Sequence, residues 1–164
     1  MKKIIVIGCP GSGKSRFSMT LGRNTGIPVY HLDMMFWNAD KTTVPKSVFL
    51  ERLTAVLGGD EWIIDGNYAS TMEMRLAECD TVFFLDYPTD VCLDGIRQRR
   101  GKARADMPLI ETEADADFEE YVKRFEGEQR PCIFDLINRY ESKNVFIFKS
   151  REQARAFLDK TTKM

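Results

Sequence analysis

Gly8-Cys9-Pro10-Gly11-Ser12-Gly13-Lys14-Ser15 decides the fold. It satisfies the phosphate-loop pattern G-x-x-x-x-G-K-[ST] at every position, a pattern that has meaning only between a buried strand and a helix. Both flanks agree. Lys3 to Ile7 is a β-branched run, as in a strand covered on both faces, and Lys14 to Arg23 places Phe17 and Leu21 on one helical face. Gly22, Gly26 and Pro28 close that helix. In such a loop the glycines let successive main-chain N–H groups turn inward around phosphate oxygens, and the helix dipole adds positive potential. An ordinary glycine-rich turn would explain the glycines but not the Lys-Ser pair. The pattern therefore assigns nucleotide phosphates to Gly8, Pro10, Gly11, Ser12, Gly13, Lys14, Ser15 and Arg16. Lys14 would bridge the β- and γ-phosphates of ATP, and the Ser15 hydroxyl would ligate Mg²⁺.

Outward from the loop, strands and helices alternate. Val29 to Leu32 reads as a short second strand leading into a loop from Asp33 to Pro45; from Pro45 the stripe Phe49, Leu53, Val56, Leu57 predicts a helix ending at Gly58-Gly59. Trp62 to Ile64 is a third strand, Thr71 to Ala77 a short helix and Thr81 to Leu85 a fourth strand ending at Asp86. Pro88 opens a helix to about Arg100, after which Gly101 to about Asp117 lacks periodicity and reads as a mobile loop whose charge changes sign midway. Phe118 to Phe125 and Ile133 to Tyr140 look helical, Val145 to Phe148 is a fifth strand, and Glu152 to Leu158 a closing helix. This alternation predicts a three-layer α/β/α domain built on a parallel sheet with right-handed crossovers.

Length and charge narrow the possibilities. At 164 residues the chain has room for one domain, spanning 1–164. Lysine plus arginine is 24 against 25 acidic residues, a net charge of −1, which argues against direct nucleic-acid binding. Hydrophobic residues at 43% and charged residues at 30% exclude disorder and fibres. No stretch approaches the roughly 18 apolar residues of a membrane span, so the chain reads as cytoplasmic with no membrane partner. Cys9, Cys79, Cys92 and Cys132 form no CxxC pair, which fits reduced thiols and leaves any metal oxygen-bound. A cysteine-phosphatase loop needs five residues between nucleophile and arginine, whereas six separate Cys9 from Arg16.

A GTPase would show an NKxD-type base-recognition sequence and a switch DxxG, and neither stands at a strand end. The chain is also too short for a large motor. What remains is a compact kinase that passes a phosphoryl group from ATP to a small acceptor. The phosphate loop, Trp62-Ile63-Ile64-Asp65-Gly66-Asn67-Tyr68, the strand Val82-Phe83-Phe84-Leu85-Asp86-Tyr87-Pro88 and the basic run from Arg97 to Arg104 together resemble the topology modulation proteins, a branch close to adenylate kinase. The resemblance covers Lys3 to about Phe148. It implies a five-stranded parallel sheet in the order 2-3-1-4-5, an acceptor region at about 33–60 and a lid at about 97–125. Its partners would be a nucleotide and a small-molecule acceptor, in a monomer or homodimer.

Residue by residue, Asp65-Gly66 is similar to the Asp-Gly of adenylate kinase, which implies Mg²⁺ held through water by Asp65; Asp86 ends the next strand in the same pattern, so spacing leaves it open. Adenylate kinases continue with Phe-Pro-Arg, where this chain has Asn67-Tyr68-Ala69, which puts a nucleoside monophosphate acceptor in question. Arg75 would then supply the missing charge, or the acceptor is a neutral hydroxyl compound. His31 and Asp33 alternate on the expected second strand, where kinases resembling shikimate and gluconate kinases place an acidic residue on the acceptor hydroxyl; Asp33 would orient the acceptor and take its proton, with His31 in support. The acceptor side thus comprises Asp33, Asp65, Tyr68 and Arg75. Arg99 matches the first arginine of the paired lid arginines, though Gly95 stands one turn earlier, and Arg124 resembles the arginine on the helix leaving the lid. Lys14, Asp33, Arg99 and Arg124 form the expected catalytic set. The rival reading is a nucleotide-binding regulatory protein linked to DNA topology with little turnover.

Overall fold

The computed structural model describes residues 1–162, so the last two residues of the expected 1–164 domain lie outside the described residues. Five strands, β1 (Lys3–Gly8), β2 (Val29–His31), β3 (Trp62–Asp65), β4 (Thr81–Leu85) and β5 (Asn144–Phe148), make one all-parallel sheet in the order β2-β3-β1-β4-β5. The expected order is the observed one. Isoleucines and valine from Ile4 to Ile7 are wholly buried because β1 lies between β3 and β4 with helices on both faces. Val6 pairs with Asp65 and Gly8 with Leu85, which brings the phosphate loop and the Asp65 carboxylate to the same end of the sheet.

Among the described residues seven helices connect and cover the strands: α1 (Lys14–Thr25), α2 (Leu32–Phe36), α3 (Lys46–Leu57), α4 (Ala69–Glu78), α5 (Thr89–Arg99), α6 (Ala116–Arg139) and α7 (Arg151–Thr161). Alternation along β4 sorts the aromatic residues between the faces. Phe83 meets Phe17 of α1 at 5.1 Å and Phe157 of α7 at 5.0 Å between ring centroids, while Phe84 meets Phe134 of α6 at 5.3 Å.

Two elements depart from the expectation. β2 has only three residues, and the segment expected to be a loop from Asp33 begins instead with helix α2. Asp33 therefore lies in a helical first turn, not on the strand. The second departure is α6, one helix of 24 residues where the sequence predicts two. Pro131 sits inside it and has no N–H to give Gly127. Tertiary contacts carry the helix across: Arg130 makes a two-pronged ion pair with Asp86 at 2.8 and 2.9 Å, and Ile133 and Ile137 are buried against the sheet. Among the described residues no helix is long and apolar enough to cross a membrane.

Candidate active site at the phosphate loop

The loop after β1 is shaped by its surroundings before any ligand arrives. Helix α5 presses on it so closely that a Cβ added to Gly95 would stand 2.0 Å from the Gly11 carbonyl oxygen. That contact explains why Gly95 stands where a lid arginine was sought: no side chain fits. Gly13, at φ 93°, faces open space, and α1 begins immediately after it with no side chain capping its N-terminus. The α1 amides are thus left for an anion. Lys14 Nζ folds back onto the Gly8 and Cys9 carbonyls at 3.0 and 3.2 Å. Burial pushes the Lys14 ammonium below its ordinary value, with Arg99 adding to the shift and Asp65 and Asp33 opposing it. Ser12 Oγ is buried without a partner in the same loop, and Arg151 reaches the Gly11 carbonyl at 3.4 Å. Arg16 is exposed on the first turn of α1.

The segment Asp65-Gly66-Asn67-Tyr68 organises everything beside the loop. Asn67 pairs its amide with both main-chain groups of Gly8, accepting from its N–H at 3.1 Å and donating to its carbonyl at 2.7 Å. Tyr68 takes a left-handed backbone conformation, φ 37°, which a tyrosine adopts only when its surroundings hold it. Arg75 is what holds it. Its side chain is wholly buried, and its guanidinium donates to the carbonyls of Gly66 at 2.9 Å, Asn67, and Tyr68 at 3.2 Å, with Nε on Thr71. Burial pushes its pKa down to about 10. The expectation that Arg75 grips the acceptor is corrected: its donors are turned inward onto main chain. Arg75→Met should lower unfolding stability by about 3 kcal/mol, because three partly buried carbonyls lose their donor. Urea denaturation reads this directly, and a loss under about 1 kcal/mol would mean that water serves those carbonyls instead.

Held this way, Tyr68 donates its hydroxyl to Asp33 Oδ1 at 2.5 Å. Burial pushes the Asp33 carboxyl above its ordinary value, against the pull of the Tyr68 hydroxyl and the Lys14 ammonium. Burial and the Asp33 charge push the Tyr68 phenol up in turn, so it stays a donor. Phe36, Phe49 and Tyr68 pack edge to face or tilted at 5.2 to 5.5 Å between centroids, with Trp37 edge-on to Phe36. His31 does not support Asp33 as expected. Its Nδ1 lies 2.7 Å from Asp65 Oδ2. Burial alone would lower the imidazole; the hydrogen bond and charge of Asp65 outweigh it and hold His31 above its ordinary value. Asp65 is thus at the loop, as expected, with one oxygen engaged by His31. Asp86, the other strand-end carboxylate, is taken by Arg130 and Lys149.

The basic run folds onto the acidic stretch beyond it. Glu111 meets Arg99 at 3.1 Å and Arg104 at 3.3 Å, and Glu119 meets Arg97 at 3.3 Å and Arg100 at 3.6 Å. The Gly101 N–H donates to the Glu111 carbonyl at 2.6 Å, closing the segment between α5 and α6 at its base. Arg99 also lies over the Phe118 ring at 5.5 Å, and burial and the neighbouring Arg104 hold its guanidinium below its ordinary value. Arg124 is exposed on α6 beside Asp117, Glu120 and Glu128, and among the described residues no bond ties it to the loop. The sequence reading passed over Asp106. This carboxylate is 6% exposed and accepts from the Ser15 hydroxyl at 3.0 Å across 91 residues of sequence. The neighbouring Cys92 thiol and burial push the Cys9 thiol above its ordinary value.

The phosphate-loop sequence follows the central strand of an all-parallel sheet in the order 2-3-1-4-5, and Asp65 ends the strand beside it. Among solved structures the chain is similar to three shikimate kinases. That from Acinetobacter baumannii in complex with shikimate aligns with a TM-score of 0.65 at 16% identity, over 98% of this chain and 90% of that one. That from Bacteroides thetaiotaomicron gives 0.61 at 18% identity over 98% and 95%. The enzyme from Aquifex aeolicus gives 0.58 at 19% over 96% and 92%. The likeness is one of fold. No family model matches the chain, and no curated protein does. None of the three neighbours carries the topology modulation name.

Proposed function

We propose that this protein is a kinase that transfers the terminal phosphoryl group of ATP to a hydroxyl of a small-molecule acceptor. One observation carries the reading: a half-buried carboxylate, Asp33, accepts the Tyr68 hydroxyl at 2.5 Å, and that tyrosine packs against Phe36 and Phe49. The fold shared with shikimate kinases, one of them solved with shikimate bound, supports it.

In this reading the triphosphate lies on the loop amides and the uncapped start of α1, and Lys14 leaves the Gly8 and Cys9 carbonyls to meet it. The acceptor lies beside Asp33 and the Phe36, Trp37 and Tyr68 rings. As its oxygen bonds to the γ-phosphorus and the bond to ADP breaks, its proton passes to Asp33. Arg99 stabilises the charge on the equatorial oxygens once phosphate displaces Glu111 from it. The oxygen donors Ser15 and Asp65 suit Mg²⁺, which neutralises the phosphate charge when bound. Among the described residues no group of three or more His, Cys, Asp or Glu is arranged to hold a metal alone, so phosphate and water would complete its shell. Residues 33–60 form the acceptor region and 97–125 the lid of a single domain.

The test is a kinase screen with nucleosides, nucleotides, sugars and hydroxy acids, read as ADP release. One of these should raise ADP release saturably. Tight ATP binding with no stimulation by any, together with salt-sensitive DNA association, would replace the kinase with a regulatory nucleotide-binding protein.

A further inference from the structure

We propose that the lid supplies the carboxylate that completes the metal-binding end of the phosphate loop: Asp106 is a positioning residue that orients the Ser15 hydroxyl toward the metal. Metal capture is thereby coupled to closure of the segment between α5 and α6. The inference rests on the kinase reading and deepens it.

Ser15 Oγ donates its single proton to Asp106 Oδ2 at 3.0 Å. A serine hydroxyl has one donor and two lone pairs, so fixing the proton on a carboxylate fixes the lone pairs away from it, free for a cation. A negative charge on that carboxylate also raises the electron density that the hydroxyl offers. Asp65, which the sequence assigns to Mg²⁺ through water, has Oδ2 on His31 Nδ1 at 2.7 Å and makes no bond to Ser15 among the described residues.

The position of Asp106 is built, although the segment around it is neither helix nor strand. Arg104 holds Asp106 Oδ2 at 3.4 Å, Glu111 holds Arg104 at 3.3 Å, and Glu111 in turn holds Arg99 at 3.1 Å. A backbone bridge between Arg104 and Met107 tightens the turn that carries Asp106. The result is a residue only 6% exposed in a segment largely open to solvent. Its bond to Ser15 places it at the first turn of α1, beside the phosphate loop. Nucleotide phosphate can be gripped by the loop main chain without the segment. A metal that needs an oriented Ser15 cannot.

The test separates metal from nucleotide. Binding of a fluorescent ADP is measured in EDTA, and Mn²⁺ binding to the protein–ADP complex is titrated by electron paramagnetic resonance. Asp106→Asn should leave metal-free ADP affinity within about twofold and weaken Mn²⁺ binding about 10- to 100-fold, the range for residues that orient metal ligands. Asp106→Glu should recover part of the loss, and Asp117→Asn, on the exposed start of α6, should change neither quantity. Because Asp106 is buried, a second variant guards against misfolding: in the cycle of Ser15→Ala, Asp106→Asn and their combination, the losses in Mn²⁺ affinity should not add. Additive losses, or Mn²⁺ affinity equal to that of the wild type in Asp106→Asn, would overturn the inference alone. So would tighter metal-free ADP binding, which would make Asp106 a stopper standing in for phosphate. A wild-type protein that binds no ADP with or without metal would overturn the kinase reading, and this inference with it.

Discussion

Lys14→Met should reduce acceptor-stimulated turnover about a thousandfold while the fold stands. The first half follows from where the other cations near the loop are held. Arg99 feels the Asp33 charge but is held back by Glu111, and Arg151 reaches the loop only at the Gly11 carbonyl. The second half follows from what the ammonium touches. Its bonds go to Gly8 and Cys9 carbonyls, and the Gly8 carbonyl keeps a second donor in the Asn67 amide at 2.7 Å. Loss of the lysine therefore leaves the first carbonyl of the loop satisfied. Steady-state kinetics and calorimetric titration of MgATP, beside a thermal melt, read the three quantities separately. Unchanged MgATP affinity would remove Lys14 from the transferred group.

Asp33→Asn should lower kcat about 100- to 1000-fold and leave the KM for ATP within about twofold. Asparagine retains an oxygen for the Tyr68 hydroxyl, so the packing of Phe36, Phe49 and Tyr68 survives; what is lost is a base whose pKa burial has raised. A split of this kind distinguishes a proton acceptor from a residue that merely braces the cleft, because bracing would move the KM for acceptor and the melting temperature as well. Normal turnover in this variant would move the acceptor to another part of the molecule.

The strands and the phosphate loop were legible because buried parallel strands leave continuous apolar runs and because the loop's spacing is set by main-chain geometry. Helix α2 was hidden by the brevity of β2: three residues carry too little pattern to show where a strand gives way to a helical turn. Helix α6 was hidden by Pro131, whose local preference is overruled by a distant ion pair from Arg130 to Asp86. Arg75 misled for a chemical reason. An arginine near an active site suggests anion binding, yet it stands four residues after Thr71 and between Met72 and Leu76, on the buried face of α4. That face was the available signal. Asp106 offered none: its partner is 91 residues away, and its segment has no periodicity to say which side chains turn inward.

The amide of Asn67, matched to both polar groups of Gly8 as two bases match across a duplex, has a kinetic meaning. The first peptide of the cradle is locked when the chain folds, so a nucleotide meets a receptor already in shape. Its arrival would then require little reorganisation of the loop itself, and in the proposed kinase the rearrangement would fall to the ion pairs of the segment between α5 and α6.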